Sequence, residues 1–341
     1  MSQTEQWLDA SSTIDEAARR VDESRCPVVV VDDEGRATGW ISDSELRTAA
    51  LRQMPTGASV DRLQRRDFPQ VTDEAAAAAR LAGGLEPAAV IVDAEGRPLR
   101  VLARGEVTQP IAIPRAAILM VGGEGTRLRP LTESLPKPLL PVGGVPILER
   151  ILRHLVGSGI SRVTMALGYR AQQIEAYFGD GSQFGARVDY VLEDKPLGTA
   201  GAIGLVRVAP DESVLVMNGD LLCELDLREM SRAHLLAEAA LTVAARPDQR
   251  RVPFGVFRLL DDRVVSVEEK PVRTEWVNAG IYLLNGAVAA RIDANSYLDM
   301  TVFMEDLIAS GERVHAFPLR EAWRDIGRPE DYDRANRELA E

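Results

Sequence analysis

Apolar residues in this chain fall into short runs, separated by stretches in which apolar positions recur every third or fourth residue. Short runs bounded by turn formers read as buried strands, and the longer period reads as amphipathic helix. From Ala116 onward the two alternate. Strands are expected over 117–121, 162–167, 188–192 and 213–217, and helices over 147–157, 171–178, 199–206 and 227–237. That alternation predicts βαβ units, hence an α/β fold with a doubly wound, mostly parallel sheet covered on both faces.

The first third of the chain repeats itself. Pro27-Val28-Val29-Val30-Val31-Asp32-Asp33-Glu34-Gly35-Arg36 recurs as Ala88-Ala89-Val90-Ile91-Val92-Asp93-Ala94-Glu95-Gly96-Arg97, a constant offset of 61 positions (92 minus 31, 96 minus 35). Each copy runs on into a second apolar strand, Gly39-Trp40-Ile41 and Arg100-Val101-Leu102. Strand, Asp-x-Glu-Gly turn and strand make a hairpin, because Gly supplies the positive φ that the turn requires. A similar helix start precedes each hairpin, Ile14-Asp15-Glu16-Ala17-Ala18 and Thr72-Asp73-Glu74-Ala75-Ala76. Two copies of one small α/β unit are therefore expected over 1–110, ahead of a second domain over 111–341. The stretch from Thr108 to Arg115, with Pro110 and Pro114, reads as the linker.

Composition narrows the function classes. With 341 residues, 45% of them hydrophobic, there is material for one large core and one small one. The formal net charge of -12 argues against nucleic acid or an anionic membrane surface as a partner, since both need a positive field. Any anionic substrate must then be held by local cations. Cys26 and Cys223 lie far apart, so neither a disulfide framework nor a clustered metal site is expected, and a reducing cytosol fits. The first residues lack a basic n-region and an apolar h-region, and no apolar run approaches the roughly 18 residues of a membrane span. A cytoplasmic protein is expected. His154, His234 and His315 are scattered singles with no catalytic spacing.

The candidate chemistry begins after the strand at 117–121, at Gly122-Gly123-Glu124-Gly125-Thr126-Arg127-Leu128. Glycine lets backbone amides approach an anion without Cβ obstruction, and Arg127 and Lys137 bring positive charge to the same place, so the loop reads as a phosphate grip. No Lys-Ser or Lys-Thr pair closes the glycine run, which excludes a Walker loop. Pro130, Pro136, Pro138 and Pro141 keep the segment irregular, which excludes a dinucleotide fingerprint opening directly into a helix. Further on stand Glu193-Asp194-Lys195-Pro196-Leu197-Gly198-Thr199-Ala200-Gly201 after one strand and Asn218-Gly219-Asp220 after the next. Phe254-Gly255-Val256, Glu269-Lys270-Pro271, Val277-Asn278-Ala279-Gly280-Ile281-Tyr282 and Trp323-Arg324-Asp325-Ile326-Gly327 follow in order.

In this ordered set the chain resembles the sugar-phosphate nucleotidylyltransferases, or nucleotide-sugar pyrophosphorylases, over about 116–332, and within them the mannose-1-phosphate guanylyltransferase-like branch. The resemblance implies transfer of a nucleotidyl group from a nucleoside triphosphate, GTP first, to a sugar 1-phosphate, with release of pyrophosphate. It implies that Gly122, Gly123, Gly125, Thr126, Glu193, Gly198, Thr199 and Asn218 bind the nucleotide. Arg127 and Lys137 would serve its phosphates, and Lys270 the sugar phosphate. Gly255, Glu269 and Asn278 would meet the sugar, and Asp220 and Asp325 would hold Mg2+ between the reactants. The base and the sugar stay open at this point.

The repeat resembles a tandem CBS module, whose clefts in that family often take adenine nucleotides. Here Glu45 stands where the pattern has Asp in the first copy, and Ala103 and Glu106 replace the hydroxyl and the Asp in the second. Two roles follow for it, a structural or oligomerising one, with a homo-oligomer expected, and an adenylate sensor. The rival reading of the whole chain is a catalytically silent adenylate-sensing regulatory protein on the same two domains.

Overall fold

The computed structural model describes residues 6–83, 86–104, 113–294 and 296–338. Residues 108–112 of the expected linker over 108–115, and Glu106, lie outside the described residues, as does the expected domain boundary.

Four consecutive β-branched residues cannot stay half-wet, and Val28–Val31 becomes the central strand of a three-stranded sheet. The first unit runs β1 (Trp7–Asp9), α1 (Ile14–Ser24), β2 (Val28–Val31), β3 (Ala37–Ile41) and α2 (Asp43–Leu51). The second runs β4 (Gln70–Val71), α3 (Glu74–Gly83), β5 (Ala88–Val92) and β6 (Pro98–Ala103). In both, the first strand is parallel to the second and the second antiparallel to the third. The duplication holds to the residue: Val29 faces Trp40 and Val90 faces Val101, each pair at the same offset of 61. Both hairpin turns close alike, with the Gly35 and Gly96 amides donating to the Asp32 and Asp93 carbonyls at 2.9 and 3.0 Å. A shared core of Val29, Trp40, Phe68, Ala88, Val90 and Val101 joins the copies, as the apolar faces of two small sheets require.

After β7 (Ala116–Val121) a long loop carries the short bridge β8 (Pro141–Val142) and β9 (Val145–Pro146). Then come α4 (Ile147–Gly157), β10 (Arg162–Leu167), α5 (Ala171–Phe178), β11 (Arg187–Leu192), α6 (Gly198–Gly201), β12 (Ser213–Asn218), β13 (Leu221–Cys223) and α7 (Leu227–Leu236). The chain closes with β14 (Leu241–Arg251), β15 (Val256–Leu260), β16 (Arg263–Glu268), β17 (Val272–Asn285), α8 (Gly286–Ala289), α9 (Met300–Ala309), β18 (Val314–Pro318), β19 (Trp323–Asp325) and α10 (Pro329–Glu338). Seven strands form the main sheet in the order β11-β10-β7-β12-β17-β14-β18. It is mostly parallel; β17 alone runs against both neighbours.

Strand alternation divides the interior. Ala117, Leu119, Val121, Leu215 and Met217 face a core with α4, α5 and α7, while Ile118, Val214 and Val216 face a core with α8 and α9. The sheet is thus covered on both sides. The helix expected over 199–206 is instead one turn, α6, followed by a 3-10 turn over Ala202–Leu205. Three glycines weaken it as a helix and let another segment pack close: a Cβ on Gly201 or Gly204 would meet the Ser296 or Ile292 carbonyl at 2.3 or 2.6 Å.

β15 and β16 leave the main sheet as a two-stranded ribbon. Phe257 opposes Val267 and Leu259 opposes Val264, giving one apolar face, and all four side chains are exposed.

Candidate active site

Parallel strands in register deliver their following loops to one edge. Val121 is level with Leu167, Leu167 with Leu192, and Met120 with Asn218, so the glycine loop, the Gly168 turn, the Glu193 segment and Asn218-Gly219-Asp220 emerge together. Ligands gather outside such carboxyl ends.

The glycine loop is shaped by its own neighbours as much as by any anion. A Cβ on Gly122 would lie 2.4 Å from Glu193 Oε1, and one on Gly168 would lie 2.6 Å from the Gly122 carbonyl. Glu193 also accepts from the Leu197 amide at 3.1 Å, and burial pushes its carboxyl above the ordinary range. Gly125 has φ 64, and its added Cβ would meet Lys137 Cβ at 2.9 Å. The Thr132 hydroxyl donates to its carbonyl at 2.9 Å and ties the loop shut. A Cβ on Gly123 would meet nothing within 4 Å among the described residues, so this end of the loop is open. Thr126 and Arg127 sit exposed on a 3-10 turn anchored by buried Leu128.

Lys137 is 8% exposed and reaches Asp220 with its Nζ 2.5 Å from Oδ2, an ion pair between residues 83 positions apart. Asp220 directly precedes β13, which pairs antiparallel with β19 and sets Leu221 opposite Asp325. The Ile326 amide donates to the Asp220 carbonyl at 3.1 Å. Burial, then the Asp220 charge, pushes the Asp325 carboxyl up; Lys137 and Arg127 pull it back. Asp325 Oδ1 is buried with no hydrogen-bond partner among the described residues. An orphaned carboxylate oxygen beside a second carboxylate fits a divalent cation, and no cluster of three or more His, Cys, Asp or Glu suits a metal among the described residues. A cation here would therefore take these two carboxylates plus oxygens from substrate, the habit of Mg2+.

The candidates expected on the sugar side separate into two groups. Asn278 and Gly280 on β17 are carried to Asn218: a Cβ on Gly280 would lie 2.6 Å from Asn218 Nδ2. Asn278 accepts from the Gly280 amide at 2.9 Å and donates to the Tyr282 hydroxyl at 2.7 Å, which braces the backbone where Gly280 takes φ 73. Gly255, Glu269 and Lys270 sit at the root of the ribbon instead. Lys270 Nζ lies 3.7 Å from Glu269 Oε1, both side chains are exposed, and a Cβ on Gly255 would meet Glu269 Oε2 at 3.1 Å.

Thr199 ties down a neighbouring helix rather than capping its own turn. Its hydroxyl accepts from the Met300 amide at 2.8 Å, and its amide donates to Asp299 Oδ1 at 3.1 Å. Gly198, at φ 78, lets this turn sit against the Leu298 carbonyl. Sequence reading missed Asp299 and Gly168. A Tyr-x-Asp before an apolar run, and a glycine closing a buried strand, were the available signals. In the first CBS-like copy, Ser42 and Glu45 satisfy each other: the Ser42 amide donates to Glu45 Oε2 at 2.9 Å, and Ser42 Oγ accepts from the Ser44 amide at 3.2 Å. A nucleotide there would have to displace that helix cap.

Comparison with known proteins adds lineage to this geometry. The nucleotidyl transferase family matches residues 116–341, and the CBS domain family matches residues 1–52. A D-glycero-alpha-D-manno-heptose 1-phosphate guanylyltransferase of Aneurinibacillus thermoaerophilus is 35% identical over 228 residues, 65% of this chain and 97% of that one. A mannose-1-phosphate guanylyltransferase of Mycobacterium tuberculosis is 37% identical over 232 residues, 65% of this chain and 64% of that one. The matched region thus spans under two thirds of the mannose enzyme. Among solved structures, HddC of Yersinia pseudotuberculosis superposes with a TM-score of 0.52 at 28% identity, over 66% of this chain and 99% of that one. Among the described residues no helix is long and apolar enough to cross a membrane.

Proposed function

This chain belongs to the nucleotidyl transferase family, and from that premise we propose that it transfers a nucleotidyl group from GTP to a sugar 1-phosphate, forming a nucleotide sugar and pyrophosphate. A phosphate oxygen of the sugar 1-phosphate attacks the α-phosphorus; the bond from that phosphorus to the β-phosphate oxygen breaks, and pyrophosphate carries the electron pair away. No covalent enzyme intermediate is needed, so positioning and charge neutralisation carry the rate. The observation that supports this most is the convergence of Lys137, Asp220 and Asp325 beside Gly125 of the glycine loop.

In this reading Arg127 and the loop amides stabilise the departing pyrophosphate, and Lys137, held in place by Asp220, meets the α-phosphate. Lys270 binds the phosphate of the sugar, with Glu269, Gly255 and Asn278 along its hydroxyls. Asp220 and Asp325 hold Mg2+, which when bound neutralises the two meeting anions. Both guanylyltransferases named above support GTP, and their names share the manno configuration, so mannose and manno-heptose 1-phosphates are the first sugars to try. A homo-oligomer also belongs to this reading, supported by the exposed apolar ribbon face and checked by sedimentation. Adenine nucleotide binding at the CBS-like unit is checked by calorimetry.

A matrix of nucleoside triphosphates against sugar 1-phosphates, read by pyrophosphate release, tests the reaction. Turnover with GTP and a manno-configured sugar is expected; a folded protein with no product from any pair would leave the silent-sensor reading standing.

A further inference from the structure

Arg47 belongs to α2 of the N-terminal unit, yet it is 5% exposed because it is buried against the other domain. Its guanidinium lies over the Phe317 ring, 3.7 Å from the centroid. It donates to the Pro318 carbonyl, 271 positions along the chain, pairs with Glu321 at 3.0 Å, and is steadied from its own helix by Asp43. Arg320 returns the contact, 2.8 Å to Asp43 and 3.2 Å to Asp22. A buried guanidinium is tolerated only when its fork is matched by acceptors and its face by an apolar or aromatic surface. Here both conditions are met across two domains.

The repeat itself does not call for this arginine. At the offset of 61 the second copy has Arg104 and Thr108 where the first has Asp43 and Arg47. What the first copy grips is the segment that ends at Asp325. Beyond Pro318 the Leu319 amide donates to the Ala245 carbonyl at 2.7 Å, Trp323 Nε1 donates to the Ala279 carbonyl at 2.9 Å, and Asp325 lies opposite Leu221. Glu321 is thus four residues before the carboxylate that completes the site (325 minus 321).

We propose that Arg47 is a positioning residue for Asp325: through Phe317, Pro318 and Glu321 the N-terminal unit holds the strap on which Asp325 stands beside Asp220. This rests on the nucleotidyl transfer reading and gives the CBS-like unit a part in assembling the divalent-cation site.

The test uses the full chain with Arg47→Met, which keeps an apolar stem over Phe317, and Glu321→Gln, which loosens the same contact from the catalytic side. The Mg2+ concentration for half-maximal pyrophosphate release should rise about tenfold in each, as for loss of a group that orients a metal ligand. At saturating Mg2+, kcat and the KM for sugar 1-phosphate should stay near wild type. Arg36→Ala, on the exposed hairpin of the same unit, should change none of these. Calorimetry with a non-hydrolysable GTP analogue, with Mg2+ and with chelator, gives a readout independent of turnover: the gain in affinity that Mg2+ confers should shrink in both variants. Folded variants with wild-type Mg2+ dependence would overturn the proposal, and so would loss of nucleotide binding equally with and without Mg2+. If Arg47→Met fails to fold, Glu321→Gln decides. If the wild type makes no nucleotide sugar, the functional reading falls, while the calorimetric coupling still tells whether Arg47 acts through the cation.

Discussion

On the nucleotide side of the cleft, each element is wedged against another part of the chain: Gly122 against Glu193, Gly125 against Lys137, Gly198 against Leu298, and Lys137 onto Asp220 at 2.5 Å. On the proposed sugar side, Gly255, Glu269 and Lys270 stand at the root of a ribbon whose four paired apolar side chains are all exposed. The first group is wedged between distant parts of the chain; Gly255, Glu269 and Lys270 stand exposed, while Asn278 is braced by Gly280 and Tyr282. In the proposed reading a triphosphate would meet a preformed grip, and the sugar 1-phosphate would meet groups that become ordered around it, at an entropic cost.

Substitutions on either side would break or sharpen this contrast. Asp220→Asn, nearly isosteric on the rigid side, should keep the fold and lose on the order of 10²-fold in turnover, by analogy with removing one preorganised transition-state group; pyrophosphate release at saturating Mg2+ measures it. Lys270→Ala should raise the KM for sugar 1-phosphate about tenfold, the worth of one exposed charge-assisted hydrogen bond, and leave calorimetric triphosphate affinity unchanged. A reversal of these two effects would overturn the assignment of sides.

A matched pair of glycines probes the stiffness directly. Gly125→Ala places a side chain at φ 64 and 2.9 Å from Lys137 Cβ, and should cost about 1–2 kcal/mol in a denaturation midpoint along with nucleotide affinity. Gly255→Ala meets only the mobile end of Glu269 and should stay within about 0.5 kcal/mol. Equal effects would dissolve the comparison.

The smallest effect concerns pH. His234 is buried behind the sheet, 2.8 Å from Thr242 Oγ1 and 2.9 Å from Asn285 Oδ1, and burial lowers its pKa. The unfolded chain then binds the proton first, so stability should fall as pH drops below about 6.5, by at most about 1.4 kcal/mol per unit, and level off below the lowered folded value. Urea midpoints at pH 7.5 and 5.5 should show a smaller difference in His234→Asn.

Local pattern carried much of this molecule. The helices at 147–157 and 171–178 form with those bounds, since each shows an uninterrupted apolar face. The glycine-rich turn at 199–206 did not behave as its period implied, because Gly201 and Gly204 answer to a segment nearly a hundred residues away. The duplicated hairpins were visible because a turn is a local event. The candidate residues could be named from their motifs, but not their partners. Nothing near Lys137 in sequence announces Asp220, and nothing near Arg47 announces Phe317. Such pairings are fixed by topology, which places distant strand ends at one edge.

The place of β18 has one more consequence. It is an end strand of the main sheet, paired among the described residues with β14 on one side only, and α2 of the N-terminal unit packs against it, with Arg47 lying over Phe317. An outer strand with open backbone groups invites pairing with another polypeptide, and covering it is a recurrent defence against clumping. Cutting the chain ahead of the glycine loop would uncover that border together with an aromatic ring. The shortened protein should therefore turn cloudy on concentration or gentle heating well before the whole chain does, and light scattering would record the difference.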